Sequence, residues 1–498
     1  MVSSKESDNA AELDVMLSRM QEMVIDFVRQ GERESRPVVR YHSPESLYEA
    51  IDLSLPTDGC GIDGTFELIS KTLDYSVNSW NPRFMDKLYA GTNPIGVISE
   101  LLLAVLNSNV HVYHVSPVLT LMEIEVTKAA GQLLNMGKNA GGLLCPGGSA
   151  SNLLALVTAR NKLFPMIKTE GYFPRPMNPK SSYGKLKIFT SLHSHYSIDK
   201  SAQVLGLGTD NIVKVPVDQI GRMQVDELEK LIVASINKGE TPFFINTTAG
   251  TTVLGAFDPI RAIAAVAKKY DCWLHVDGSW GGTAVFSDTV RKEKDWFDGS
   301  ELADTFTLNP HKLLGVPLQC SMLVTPHEGH LLFARANSLK ADYLFHGNPY
   351  DLGAGTIGCG RRPDACKMFL AWKFYGQKGL GARVDRALQC ASEFTEMVKA
   401  RRGFELVKDP SPFLQICFWF VPPELRGEKE LNLSKITREL HKRVNQLGEF
   451  LVDHAPLVGQ PDFFRVVVNA PTVGLHRDLE RLLDTIEGVS ATIDWKTI

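Results

Sequence analysis

Cys272-Trp273-Leu274-His275-Val276-Asp277-Gly278 is an apolar run that ends in a carboxylate and is followed by the small-residue turn Ser279-Trp280-Gly281-Gly282. A stretch this short and this apolar, with no polar alternation, suits a strand covered on both faces of a sheet. Four further runs share its character: Gly142-Leu-Leu-Cys145, Lys187-Ile-Phe-Thr190, Pro242-Phe-Phe-Ile-Asn246 and Thr305-Phe-Thr-Leu-Asn309. Each leads into a polar or glycine-rich turn and then a helical pattern, so residues from about 113 to 330 carry an α/β signature. In open α/β sheets, ligands bind beyond the carboxyl ends of the strands. Those ends carry Ser149, His195, Thr248, Asp277 and Lys312 here.

Working outward, the N-terminal segment shows helical spacing of Leu13, Met16, Met20, Met23, Val24 and Phe27, which predicts a helical arm that packs against a neighbour. The apolar run Ile95–Leu106 contains Glu100, is too short to cross a bilayer and predicts a buried helix. Beyond about residue 370, helical patterns at Cys366–Tyr375 and Val384–Arg401 alternate with apolar runs at Phe413–Phe420 and Phe463–Asn469. The expected organisation is an N-terminal helical arm and segment at 1–112, a large α/β domain at 113–370 and a smaller α+β domain at 371–498.

Across 498 residues the formal charge is −4, which supplies no basic field for nucleic acid. The polar start Met1-Val-Ser-Ser-Lys-Glu-Ser-Asp lacks the apolar core of a secretory signal, and the expected setting is the cytoplasm, with no membrane partner. Eight scattered cysteines without a Cys-x-x-Cys pair read as reduced core thiols, and no metal site is expected.

Four features of the strand-end rim carry chemistry. Lys312, in Asn309-Pro-His-Lys312, is flanked by Leu313, Leu314, Val316 and Leu318. A lysine at a strand end is usually a solvated charge, but a desolvated one has a lowered pKa and is an amine nucleophile toward an aldehyde. Asp277, thirty-five residues upstream, ends its apolar strand and needs a cationic partner if buried; the plainer reading is a cap for the next helix. Cys145-Pro-Gly147-Gly148-Ser149-Ala-Ser151-Asn152 opens a helical pattern with residues small enough for backbone amides to reach an anion, or else it is simply a helix start. It has neither the Gly-Lys-Ser/Thr of a Walker loop nor a Gly-x-Gly-x-x-Gly fingerprint. His193 and His195 share one face of a short extended stretch; an imidazole there could stack on a flat ring, and His193 also fits as a core histidine.

Taken together, Gly148-Ser149, His195, Asn246-Thr-Thr248-Ala-Gly-Thr-Thr252, His275-Val-Asp277 and Asn309-Pro-His-Lys312 occur in an order that resembles the pyridoxal 5′-phosphate (PLP) dependent group II amino-acid decarboxylases, especially the animal-type glutamate and cysteine sulfinate enzymes. Asn81-Pro-Arg-Phe84, Ser116-Pro-Val118, Gly255-Ala-Phe-Asp-Pro259, Gly315–Ser321, Tyr343-Leu-Phe345, Cys359-Gly-Arg361 and Cys417–Pro423 extend the resemblance over about residues 65–495. It implies a fold-type I, aspartate aminotransferase-like enzyme with a large mostly parallel sheet domain, acting as a homodimer with shared active sites on a small-molecule amino acid. By the same resemblance, Lys312 links to PLP, Asp277 partners the ring nitrogen and His195 stacks on the ring with Thr248 nearby. Gly148, Ser149 and His311 resemble the phosphate-side groups, Arg465 the grip on the substrate α-carboxylate and Tyr343 the mobile-loop acid that reprotonates the product carbon.

Four positions depart from that pattern. Lys87 stands where those relatives usually carry a side-chain-reading glutamine, His111 replaces an aromatic residue near the same pocket, the loop after Asp351 is shorter, and Gly278 replaces an alanine that packs against the ring. The leading expectation is α-decarboxylation of glutamate, aspartate or cysteine sulfinate. An aromatic or nonstandard amino-acid decarboxylase and a catalytically silent binding relative stand as alternatives. Lys87 either reads an acidic side chain, or points to solvent or pairs with Asp86 or Glu123.

Overall fold

The computed structural model describes residues 8–33, 36–175, 182–339, 341, 343–428, 430–469 and 476–496. Among them the strands are β1 (Phe84–Met85), β2 (Gly141–Cys145), β3 (Leu186–Ser191), β4 (Ile212–Val215), β5 (Thr241–Thr248), β6 (Trp273–Gly278), β7 (Thr305–Leu308), β8 (Ser321–Thr325), β9 (Phe404–Leu406), β10 (Gln415–Phe420), β11 (Leu451–Leu457) and β12 (Gln460–Val467). The chain divides into two compact units: residues 92–392 with 408–416, and residues 1–91 with 393–407 and 417–498.

The first unit is built on a seven-stranded sheet of order β2-β8-β7-β6-β5-β3-β4. Strands β4, β3, β5, β6 and β7 run parallel, and β8 lies antiparallel to both β7 and β2. All five apolar runs became strands, and β2, β3, β6 and β7 are buried at every residue. β4 and β8 were not legible, because Ile212–Val215 is short and half exposed and Ser321–Thr325 follows the Lys312 loop without a turn signal. Register aligns Thr248 with Asp277 and Asp277 with Thr307, so three polar side chains stand abreast at one end of the sheet.

Two expectations about this unit need correction. The helix Pro94–Leu106 forms, but only Gly96, Ser99 and Leu103 are buried, while Ile98 and Val105 are 57% and 66% exposed. Its residues are apolar on nearly every side, whereas the fold covers a single stripe. The stretch with His193 and His195 is not extended: Leu192 and His193 form a turn after β3, and a helix starts at Ser197.

The second unit has a five-stranded sheet of order β1-β11-β12-β10-β9. Phe84–Met85 pairs in parallel with Leu451–Val452, so residues of the segment 1–112 complete the C-terminal sheet. The buried Arg83 fixes this closure through ion pairs to Asp478 at 2.8 Å and Glu449 at 3.0 Å. The N-terminal arm is a helix, Asn9–Glu32, capped by Asp8, with Leu13, Val15 and Ile25 exposed. The two helical patterns after residue 365 form two helices, 365–375 and 377–400, that meet at Gly376, whose φ of 65° leaves the helical region.

Candidate active site

The site in the first unit starts from β6. Asp277, at its carboxyl end, is 3% exposed and makes no ion pair with lysine or arginine among the described residues. Its Oδ2 accepts a hydrogen bond from Asn152 Nδ2 at 2.9 Å and its Oδ1 accepts one from Ser279 N at 3.0 Å. Burial pushes the carboxyl up, but the Ser279 bonds and the neighbouring His195 and His275 prevail and hold it below the usual aspartate range. A fully buried carboxylate kept ionised calls for a cation at its open side. The helix-cap reading fails, since the Ser279 bond closes a turn and no helix N-cap is Asp277.

Asn152, which the sequence did not single out, ties the buried residues around Asp277 together. Its amide donates to Asp277 and to Ser197 Oγ at 2.9 Å, and its oxygen accepts from His275 Nε2 at 3.0 Å and from Thr307 Oγ1 at 3.2 Å. Burial pulls His275 down to about 4, so the ring is neutral near pH 7. With Nε2–H donated to Asn152, Nδ1 is left to accept from Thr305 Oγ1 at 2.9 Å, and that hydroxyl also receives the Trp273 indole N–H at 3.0 Å. The one hint in sequence was an asparagine inside the helix start, where its short amide has no helical purpose.

His195 follows β3 and is half buried. Its Nδ1 accepts from Ser197 N at 3.2 Å, and burial lowers its pKa; Asp277 opposes that shift and Lys312 adds to it. His195, Asp277 and Lys312 therefore share one electrostatic neighbourhood. Lys312 is half buried behind the fully buried Leu313 and Leu314, but Leu318, expected to shield it, is 50% exposed. His311 is held by Cys320, whose N–H reaches Nδ1 at 3.0 Å, and burial pulls it down to about 4. The Thr248 backbone N–H donates to the buried Asp258 at 2.8 Å, while Thr248 Oγ1 is buried with no partner among the described residues.

At the end of β2, Gly147 takes a φ of 91° and starts the helix Gly148–Leu163 without any side-chain cap. A Cβ on Gly148 would come within 2.8 Å of Asn309 Nδ2 and collide with Ser279 Oγ, itself buried without a partner among the described residues. The open first turn is thus a cradle only glycine leaves clear. Ser149 is exposed at its second position. Cys145 beside it is a thiol, pushed up to about 11 by burial. A cavity of about 680 Å³ adjoins the cradle, lined in part by Cys145, Pro146, Ala150, Gln319 and Ile357.

These features test whether PLP fits. A phosphate needs an uncapped helix start, its pyridinium needs a buried anion, and its ring substituents need hydroxyl partners. Gly148, Asp277 and the unpartnered Thr248 and Ser279 hydroxyls answer each need.

Residues 44–421 match the pyridoxal-dependent decarboxylase conserved domain. The chain belongs to that family. An L-aspartate decarboxylase of Metarhizium robertsii is 40% identical over 506 residues, covering 97% of this chain and 96% of the relative. The cysteine sulfinic acid decarboxylase of Rattus norvegicus is 38% identical over 476 residues, covering 93% of each chain. The crystal structure of mouse CSAD superposes with a TM-score of 0.90 at 35% identity, covering 97% of this chain and 100% of that one. The decarboxylase is therefore a lyase of fold type I with PLP as its cofactor.

The remaining expected site residues belong to other elements of the chain. Arg465, on β12 of the second unit, is 7% exposed and paired with Asp453 at 2.6 Å, with a further bond to Asp86 O at 3.2 Å. Lys87 bridges Asp453 at 3.0 Å and Asp86 at 3.1 Å, while Glu123 pairs with Arg361. His111 receives the Gly353 N–H on its carbonyl at 2.9 Å, so it holds the shortened loop after Asp351. Tyr343 is 88% exposed on a loop. Gly278 is explained by packing: a Cβ there would lie 2.6 Å from Thr307 O and collide with the Phe306 ring. Among the described residues no helix is long and apolar enough to cross a membrane.

Proposed function

We propose that this decarboxylase removes the α-carboxylate of a small acidic L-amino acid, aspartate, cysteine sulfinate or glutamate, releasing the amine and carbon dioxide. The observation that carries the reading is the buried, ionised Asp277, tied to Asn152 and lacking a lysine or arginine partner among the described residues, in a chain alike along its length to decarboxylases named for those acids.

When bound, PLP supplies a conjugated sink for the electron pair left by the departing carboxylate. The chain's residues do the rest. Lys312 offers the ε-amine that attaches the cofactor, and Asp277 keeps the ring nitrogen protonated by staying ionised. His195, neutral near pH 7, gives the ring a flat face without adding a competing charge. Gly148 and Ser149 open the helix start to the phosphate, and Thr248 and His311 border it. Arg465 grips the α-carboxylate with its planar fork. Lys87 adds positive charge for the substrate's side-chain acid, and His111 lines the side-chain pocket. Tyr343 returns a proton to the α-carbon, and its exposed position suits an acid that arrives after carbon dioxide leaves.

The enzyme acts as a homodimer in the cytoplasm. In support of a second copy, the helix Pro94–Leu106 presents Ile98, Leu101, Leu102 and Val105 to the exterior beside Val118 and Leu121, an apolar face that a soluble chain covers.

Carbon dioxide release from L-aspartate, L-cysteine sulfinate, L-glutamate and an aromatic amino acid tests the reading directly. The acidic set should exceed the aromatic one by at least about a hundredfold in kcat/KM, as expected where a buried charge is left unpaired by the wrong side chain. Aromatic turnover equal to the best acid, or no turnover of any, overturns it.

A further inference from the structure

His441, on the helix Leu433–Gln446, meets Asp453 and His454 on β11, and one ligand atom from each of the three lies within 4.8 Å of the others. The two imidazole rings pack at 4.4 Å between centroids, tilted by 53°. We propose that these three residues form a binding site for a transition ion of the zinc type. The site belongs to the second unit and does not depend on the roles of Lys312 or Arg465.

The first argument is how the rings are held. A metal-binding histidine usually turns its other nitrogen to a carbonyl or carboxylate, which fixes the tautomer and leaves a lone pair for the ion. His441 Nε2 lies 3.0 Å from the carbonyl of Val452, and His454 Nε2 faces the Asp462 carboxylate at 3.9 Å. His454 Nδ1 is buried and has no hydrogen-bond partner among the described residues.

The second argument is rigidity. The His441 helix anchors Leu440 and Val444, both fully buried, while His454 is fixed by strand pairing to Phe464. Ligand atoms around a tetrahedral zinc stand about 3.3 Å apart given bonds near 2.0 Å, so closing from 4.8 Å or less needs rotamer shifts of about an ångström and no backbone movement.

The ligand chemistry selects the ion. Asp453 already shares its Oδ2 with Lys87 and Arg465, and its Oδ1 accepts the His454 backbone N–H at 2.9 Å. Its charge is partly neutralised, though an ionised carboxylate has about four acceptor positions and keeps some open. Two imidazoles and one spent carboxylate are poor for calcium or magnesium, which want several hard oxygens, and good for zinc, nickel or copper. With three protein ligands, water would complete the site. Occupancy would draw Asp453 away from Lys87 and Arg465, so the ion is expected to change how freely Arg465 meets an anion.

Titration calorimetry of the holoenzyme with zinc chloride at about pH 7.5 is the test. One ion per chain should bind, with affinity at least about tenfold lower in His454→Gln and in His441→Ala, and magnesium chloride should give no signal at the same concentrations. Zinc binding of equal strength in both variants would mean that the ion sits elsewhere and overturns the proposal, as would absence of zinc binding to the wild type. Should either variant fail to fold, anomalous diffraction at the zinc edge from wild-type crystals decides: a peak between His441 and His454 upholds the site, and its absence removes it.

Discussion

Replacing Asn152 by leucine, close to it in size, should separate the cofactor's anchor from its support. The amide makes four hydrogen bonds inside a core, to Asp277, Ser197, His275 and Thr307, and is 1% exposed. A hydrogen bond to a charged group contributes about 1.5–3 kcal/mol and a neutral one about 1 kcal/mol, so the four sum to about 5 kcal/mol. Leucine returns about 1–2 kcal/mol through apolar burial, while the groups left unpaired offset part of that gain. The expected loss is about 3–5 kcal/mol, at the upper end of what single substitutions do. Denaturant unfolding of the apo-protein measures it as a lowered midpoint at unchanged slope. Asp277 also loses its amide donor, so its carboxyl should rise and PLP should bind about tenfold or more weakly, read from the cofactor's visible absorbance. A loss below about 1 kcal/mol with unchanged PLP affinity would refute the view that Asn152 organises this end of the sheet.

Three further outcomes are open to measurement. Gly148→Ala should weaken PLP by at least about tenfold because its Cβ collides with Ser279 and Asn309, and the same overpacking should cost the apo-protein about 1–3 kcal/mol; unchanged affinity would place the phosphate elsewhere. Stability should fall as pH drops from about 6.5 to about 4, since the unfolded chain takes up protons that the native His275 and His311, both near 4, refuse. Each contributes at most about 1.4 kcal/mol per pH unit, and His275→Asn should flatten the unfolding profile in that window. Tyr343→Phe should keep carbon dioxide release within about tenfold but shift product from amine toward aldehyde, seen by chromatography; an unchanged product ratio removes its role as the acid.

The sequence alone determined the cofactor and all of the seven-stranded sheet but β4 and β8. Apolar runs such as Trp273–Val276 are long enough, and free enough of alternation, that only a doubly covered strand satisfies them, and each ends where the register later places a polar side chain. The glycines at 147 and 148 were legible for a similar reason: local backbone demand shows in residue type. Tertiary structure alone decided what depends on residues far apart in the chain. Asn152 touches Asp277 across 125 positions, Arg83 reaches Asp478 across 395, and Lys87 meets Asp453 across 366. A single sequence carries no periodicity for such pairs, because their spacing is set by packing and not by the repeat of a helix or strand. The exposed face of the helix Pro94–Leu106 has the same origin: composition reports how apolar a segment is, and only the folded chain decides which side its own core covers.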